Sequence, residues 1–383
     1  MPPNDGDVAL LVDGQVLSGW QEIRIGIGIE RMPSDFDLVV TDRYPGKPAV
    51  PVQPGMDCVV RIGGDTVLTG YVDRYAISVS KRGGTQIRVT GRGKCQDLVD
   101  CSAYLRGSAN QILSARSRQV IAQLAAIYGI EVDARADEGE VVPQFNVILT
   151  ETAWDIIDRI ARHSEFLAYE GPDGRLILAR LGTERMASGF KEGANVEEAS
   201  VTRAYDKRYS LYEAVFMPVE TLAQFDRAAQ PDFNTRATAR DITIGADAPG
   251  QGRRFRPLIV IAETLQNGVD IAQRRVDWER ARRFGRSQAV EILADSWRDA
   301  AGALWQPNRL ARVQLPTLKL PDVEWLISEV SFERGRQGTH ARLTLMPQEA
   351  FQPQPVYLAP FDWQVSEALR QGSIAAGGGG PLP

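Results

Sequence analysis

Between Glu22 and Ile29 every second residue is isoleucine: Ile23, Ile25, Ile27 and Ile29 alternate with Arg24, Gly26 and Gly28. Side chains on a strand point to opposite faces in turn, so this period of two commits the segment to a strand with one face in a core. Gly26-Ile27-Gly28 lies inside the alternation and lacks both a third spaced glycine and a following helix. It therefore reads as strand and not as a dinucleotide-binding loop. The neighbouring text is of the same kind. Val8 to Val12 precede the turn Asp13-Gly14, Cys58 to Ile62 lead through Gly63-Gly64-Asp65 to Thr66–Ser80, and an Arg82-Gly83-Gly84 turn leads to Gln86–Gly91. Short strands joined by tight turns predict a small β-barrel or sandwich, assigned to residues 1–97.

The period then changes. Val120, Ile121, Leu124, Ile127 and Tyr128 share one face of a helix that should stop at Gly129. A second helix, capped by Thr150, places Trp154, Ile157, Ile160 and Ala161 together. Phe166–Glu170, the turn Gly171-Pro172-Asp173-Gly174 and Arg175–Arg180 predict a hairpin. Residues 98–186 thus form an α+β domain. Strand-like text returns near Val201, and residues 226–257, rich in Asp, Pro, Gly, Arg and Ala, read as a long loop. A helix is expected over 263–284, with Leu265, Val269, Ala272 and Val276 inward and Gly285 as its stop. Strands follow from Ser287 to Met346, giving a second barrel over 187–350 with the loop and helix inserted. Residues 351–383 have the composition of an extended tail. The expected architecture is multidomain α+β and β-rich, with two similar small barrels and an α+β domain between them.

The two β-rich blocks carry a repeat. Gly84-Thr85-Gln86-Ile87-Arg88-Val89-Thr90 matches Gly338-Thr339-His340-Ala341-Arg342-Leu343-Thr344, and each follows a hairpin turn preceded by two strand-like segments. The shared order points to duplication of one barrel. A trimer of such a chain presents six similar modules around a ring.

Composition excludes several classes. The net charge of −5, with 44 basic and 49 acidic residues intermixed, is not that of a dedicated nucleic-acid binder. Three cysteines (Cys58, Cys95, Cys101) fit neither a disulfide framework nor a metal cage and read as small buried hydrophobes. The only histidines, His163 in an expected helix and His340 in an expected strand, support no triad or multi-histidine metal site. No apolar run is long enough to span a membrane, and Met1-Pro2-Pro3-Asn4-Asp5 does not open a signal peptide, so cytoplasmic synthesis is expected.

Three segments carry a family resemblance. Val89-Thr90-Gly91-Arg92-Gly93-Lys94-Cys95-Gln96-Asp97-Leu98-Val99-Asp100-Cys101-Ser102-Ala103 resembles the junction segment of phage Mu-type baseplate hub proteins. Ala153-Trp154-Asp155-Ile156-Ile157 through Leu176-Ile177-Leu178 resembles their middle domain. Trp297-Arg298 with Leu304-Trp305-Gln306-Pro307-Asn308 resembles their last barrel. The resemblance spans most of residues 8 to 350 and omits the loop at 226–257 and the tail. It implies a structural, non-enzymatic protein with no catalytic, cofactor or metal residues. Three copies would form a pseudo-sixfold ring joining the tail tube to a central spike, among other baseplate proteins. The ring would leave a channel that phage DNA crosses without specific binding, and the protein would end in the virion tail baseplate. Related hub barrels also occur in tailocins and contractile secretion devices.

Candidate interface residues come from two places. Arg274, Arg275, Arg280, Arg282, Arg283 and Arg286 crowd one expected helix, interrupted by Asp277 and Glu279, so they read either as a salt-bridged solvated face or as contacts to a subunit or channel. Of these, Arg274, Arg275, Arg282 and Arg283 are taken as interface candidates, with Trp305 from the turn before Arg309–Leu315, and Phe361 and Trp363 from the aromatic tail. Asn308 is expected to be a turn residue. A tail protein could instead be a cell-wall hydrolase, for which carboxylates are plentiful, for example Asp155 and Asp158 on one helix, although their setting amid arginines reads as a solvated helix face.

Overall fold

A computed structural model of the chain describes residues 7–41, 52–81, 84–104, 111–147, 150–217, 236–245, 254–263, 268–356 and 358. Strands β1 (Val8–Val12) and β2 (Gln15–Leu17) turn through Asp13-Gly14, whose φ angles are 48° and 71°. A two-residue turn with both φ positive matches strand twist, and Asp-Gly tolerates it. Strands β3 (Glu22–Gly28), β4 (Asp35–Thr41), β5 (Asp57–Ile62), β6 (Asp65–Ser80) and β7 (Gly84–Gly93) complete a first module, with hydrogen-bonded order β3-β4-β7-β6-β5-β1-β2. Ile23 and Ile25 are buried beside Phe36, Leu38, Val60 and Val89, as their alternation requires.

The middle unit contains α1 (Gln96–Asp100), β8 (Gln111–Arg116), α2 (Ser117–Ala126), β9 (Val132–Ala134), β10 (Val141–Asn146), α3 (Ala153–His163) and the hairpin of β11 (Leu167–Glu170) and β12 (Leu176–Ala179). Val120, Ile121 and Leu124 of α2 pack with Ile156, Ile157 and Ile160 of α3 in a separate core. The cap of α3 is Thr152, not Thr150. The Thr152 hydroxyl accepts the N–H of Asp155 at 3.1 Å, and the Asp155 carboxylate accepts the N–H of Thr152 at 3.1 Å. Thr150, with φ of 84°, sits in the turn before it, so threonine type alone misplaced the start by two residues.

The second module is built from β13 (Phe190–Lys191), β14 (Val196–Arg203), β18 (Gln288–Ala294), β19 (Leu310–Leu315), β20 (Leu320–Gly335) and β21 (Gly338–Met346). Between β14 and β18 lies an insertion: β15 (Leu211–Met217), β16 (Arg236–Arg240), β17 (Pro257–Glu263) and α4 (Gly268–Arg286). The expected loop at 226–257 therefore contains a strand. Arg236-Ala-Thr-Ala-Arg240 has no large apolar side chain, yet Ala237 and Ala239 are buried with Tyr212 and Ala214 beneath Ala272 and Val276 of α4. Small residues on both layers let the helix approach the sheet, and no periodic signal of bulk marks such a strand. Residues 218–235 and 246–253, like Leu265, lie outside the described residues.

The expected helix bounds also shift. Glu263 ends β17, and α4 continues through Gly285 to Arg286. Gly285 is no stop signal: a methyl built on it would overlap the backbone nitrogen of Ala350, so it is a close-packing glycine. Of the cysteines, Cys58 and Cys95 are buried as expected, and burial pushes the Cys58 thiol up to about 12. Cys101 is exposed, because it is the extended residue by which the chain leaves α1.

The two modules are copies. Strand order β14-β18-β21-β20-β19 repeats β3-β4-β7-β6-β5, and both β6 and β20 are 16 residues long. Even the irregularities coincide. The β6–β7 ladder bulges between Val72 and Arg74 opposite Gly91 and Thr90, and the β20–β21 ladder between Ile327 and Glu329 opposite Leu345 and Thr344. The repeated heptapeptides occupy equivalent registers of β7 and β21. Strand β3 pairs antiparallel with the far half of β20, from Gly28 opposite Glu329 to Ile23 opposite Arg334. This joint merges both modules into one sheet and one core, with Ile25 and Phe332 fully buried directly across from each other. Arg31 flanks the joint, ion-paired to Asp35 of β4 and Glu329 of β20.

Candidate interaction surfaces

Helix α4 is held by the chain's own groups on several sides. Arg275 and Arg283 both reach Glu279, at 3.1 and 2.9 Å, one turn before and one turn after it. Arg282 and Arg286 meet Glu30 of the first module, Arg274 meets Glu165 of the middle unit, and Arg280 stands 3.9 Å from Asp277. The guanidinium of Arg282 also lies over the Trp278 ring, and that of Arg283 over Tyr209. The arginine run thus works first as an internal clamp between the units. Arg274, half exposed, and Arg280 keep part of their surface on the outside of the helix.

Trp305 is 1% exposed, so it is no surface residue in the protomer. Its ring stands 4.5 Å from that of Phe190, and its indole N–H donates to the Ser296 carbonyl at 2.9 Å. The residue is a core anchor whose backbone N–H donates to the Trp297 carbonyl at 3.1 Å, just before the Pro307-Asn308 turn that leads into β19. Asn308 takes a φ of 60°, as a turn asparagine can, and its side chain accepts the N–H of Gly182 at 2.7 Å.

Phe361 and Trp363 lie outside the described residues. The start of the tail is not free. Phe351 is buried in a seam with Ile29, Tyr169, Leu310 and Leu326, where all three units meet. The Gln352 carbonyl accepts the indole N–H of Trp278 at 2.7 Å, and the Val356 carbonyl lies 3.1 Å from Nδ1 of His163. The strap along the middle unit therefore extends through Val356, past the expected boundary at 351. Its signal in the sequence is slight, since apart from Phe351 and Leu358, which packs on the core of the middle unit, these contacts are made by backbone groups.

The two carboxylates weighed for hydrolysis have other partners. Asp155 closes the cap of α3, and Asp158 pairs with Arg162 at 2.6 Å one turn along. Among the described residues no group of three or more His, Cys, Asp and Glu is placed to hold a metal ion, and no helix is long and apolar enough to cross a membrane.

One buried carboxylate does organise an interface. Glu170, at the end of β11, accepts the backbone N–H of Ser34 and of Cys95, each at 2.8 Å. Burial pushes its carboxyl up to about 7 against the lowering effect of these bonds. No sequence pattern singles out Glu170, since its partners are backbone groups of distant segments.

Of the outer strand edges among the described residues, two correspond to the two sides of the β3–β20 joint. Beyond Val72 the far half of β6 pairs only with β7, leaving Ile77 at 57% and Val79 at 81% exposure. Strand β14 pairs along its length only with β18, and its Ala199 and Val201 are half-buried. Aligning the repeat hairpins in the sequence would have marked the first edge, because Ile77 then stands in the place of Phe332.

Residues 7–93 match the family of the N-terminal domain of Mu phage baseplate assembly protein GpP-like proteins, 95–180 the second domain of baseplate hub protein gp44-like proteins, and 268–354 the fourth domain of Mu phage baseplate assembly protein GpP. Baseplate hub protein gp44 of Escherichia phage Mu is 28% identical over 348 residues, covering 90% of this chain and 88% of that protein. The crystal structure of the 43 kDa tail protein of prophage MuSo2 from Shewanella oneidensis is similar at a TM-score of 0.77 and 28% identity, covering 91% of this chain and 99% of that one. A tail protein from Neisseria meningitidis MC58 shares the fold at a TM-score of 0.71 and 19% identity, covering 91% and 98% of the two chains. With matched domains in the order of the modules described, and the duplicated β modules on either side of the middle unit, the chain belongs to the Mu-type baseplate hub proteins, structural components of a phage tail.

Proposed function

We propose that three copies of this chain close into a pseudo-sixfold ring at the centre of a contractile-tail baseplate. The ring joins the sixfold tail tube to a threefold spike, touches other baseplate proteins, and leaves an axial channel through which DNA passes without specific binding. The observation that carries this reading is the duplication: two modules of equal strand order and equal bulge position sit edge to edge in one chain. One chain thereby supplies two sixths of a ring, which lets a trimer match a hexameric neighbour. The role is mechanical and not catalytic, and it is exercised in the virion after assembly in the host cytoplasm. The outward side of α4 with Arg274, and the tail with Phe361 and Trp363, are the surfaces offered to neighbouring subunits or baseplate proteins.

Light scattering and negative-stain imaging of the full chain, alone and with the tube and spike proteins, test the reading. The expected particle has three chain masses and a central hole. A monomer under all of these conditions overturns it.

A further inference from the structure

The joint inside the chain specifies the joint between chains. We propose that the far half of β6 in one subunit pairs antiparallel with β14 of a second copy, with Tyr75 opposite Arg203 and Val79 opposite Ala199.

The register follows from superposing the two modules by their ladders. Thr90 pairs with Arg74, and Thr344 with Glu329, at the same bulge, so Arg74 of β6 stands where Glu329 stands in β20. Continuing along the strands, Tyr75 takes the place of Val330, Ile77 of Phe332 and Val79 of Arg334. On the other side, β4 pairs with β7 as β18 pairs with β21, with Asp37 opposite Thr90 and Glu291 opposite Thr344. Arg24 lies opposite Asp37, and Ser200 opposite Glu291, so β14 occupies the place of β3. Ile25 therefore corresponds to Val201 and Ile23 to Ala199. Inside the chain Phe332 faces Ile25 and Glu333 faces Arg24. Transferred between copies, Ile77 faces Val201 and Ser78 faces Ser200.

Exposure differs between the equivalent positions in the sense a missing neighbour requires. Phe332 and Ile25 are fully buried, whereas Ile77 is 57% exposed and Val201 is half-buried. Val79, at 81%, is a β-branched apolar residue on an open edge, where proteins normally place charge or proline to block pairing. An unprotected edge with apolar residues on the core face is a site for strand addition. The alternation fixes the register, since a slip of one residue would turn Ile77 and Val79 away from Ala199 and Val201. Because β6 and β14 lie on different modules, the contact is head-to-tail, and repeating it generates a ring when the rotation closes. Each subunit then contributes one internal and one external joint of the same kind. This inference rests on the ring reading above and adds the surface and register by which the ring closes.

Disulfide trapping tests it on the full chain carrying Cys101→Ser. The double variant Ser78→Cys/Ser200→Cys, and separately Ile77→Cys/Val201→Cys, should yield covalent dimers and trimers on mild oxidation, because directly opposed strand residues lie within disulfide reach. Each single-cysteine variant should yield none. A second variant, Ile77→Lys/Val79→Lys, should stay folded by circular dichroism, since both side chains are exposed in the protomer, but should lose the ring mass. A particle of ring mass that neither double variant cross-links, or that the lysine variant still forms, overturns the joint while leaving the hub reading intact. A chain that remains monomeric even with its tube and spike proteins overturns both.

Discussion

The carboxylate of Glu170 accepts the backbone N–H of Ser34 at 2.8 Å, across a boundary that the sequence separates by more than a hundred residues. With the matching bond from Cys95, this one side chain fastens the middle hairpin to the first module. The site is buried, so the charged form is disfavoured and the carboxyl titrates near 7 instead of in the usual carboxylate range. A folded pKa raised above the unfolded one means that folding favours the protonated form. The contribution is fully present below about 4.5, declines as pH rises through 7, and is lost above it. Stability of the wild type relative to Glu170→Gln should therefore fall between pH 5 and pH 8. Denaturant titrations of both proteins at the two pH values check this, and parallel pH profiles would assign the dependence to other groups.

Trp305→Ala should destabilise the second module by about 3–5 kcal/mol, from lost burial against Phe190 and the cavity left behind. The midpoint of chemical denaturation reports it. Unchanged melting would show that the ring is dispensable to the core.

At Gly285 two local rules oppose each other. Helix propensity alone favours Gly285→Ala by about 1 kcal/mol. The added methyl, however, meets the backbone at Ala350, and overpacking costs roughly 1–3 kcal/mol. The variant is expected to be less stable than wild type, and a rise in Tm would mean that the strap moves aside freely.

The start of α3 yields a pair of opposite signs. Thr152→Ala removes the cap and should cost about 1 kcal/mol. Thr150→Gly relieves a β-branched residue with φ of 84° and should stabilise the chain. Equal effects of the two substitutions on denaturation would reject this assignment of the cap.

Much of the architecture is legible before folding because its causes are local. Alternation at Ile23–Ile29, the Asp13-Gly14 turn and the apolar stripe of α3 each report which face must leave water, and the repeated heptapeptide shows that one module was used twice. Local text fails where a partner supplies the reason. Strand β16 exists because Ala237 and Ala239 fit beneath α4, and Gly285 looks like a stop until Ala350 is packed on it. The arginines of α4 read as a solvated, salt-bridged face, with an interface as the alternative, until Glu30, Glu165 and Glu279 are brought beside them. Trp305 carries the same letters whether it points in or out, and only its 4.5 Å approach to Phe190 decides. The sequence by itself determined the modules and their duplication, since periodicity and turn chemistry act within a few residues. Tertiary structure alone decided how β3 and β20 join and which equivalent edges stay open, because strand pairing across hundreds of residues depends on backbone groups that every residue shares.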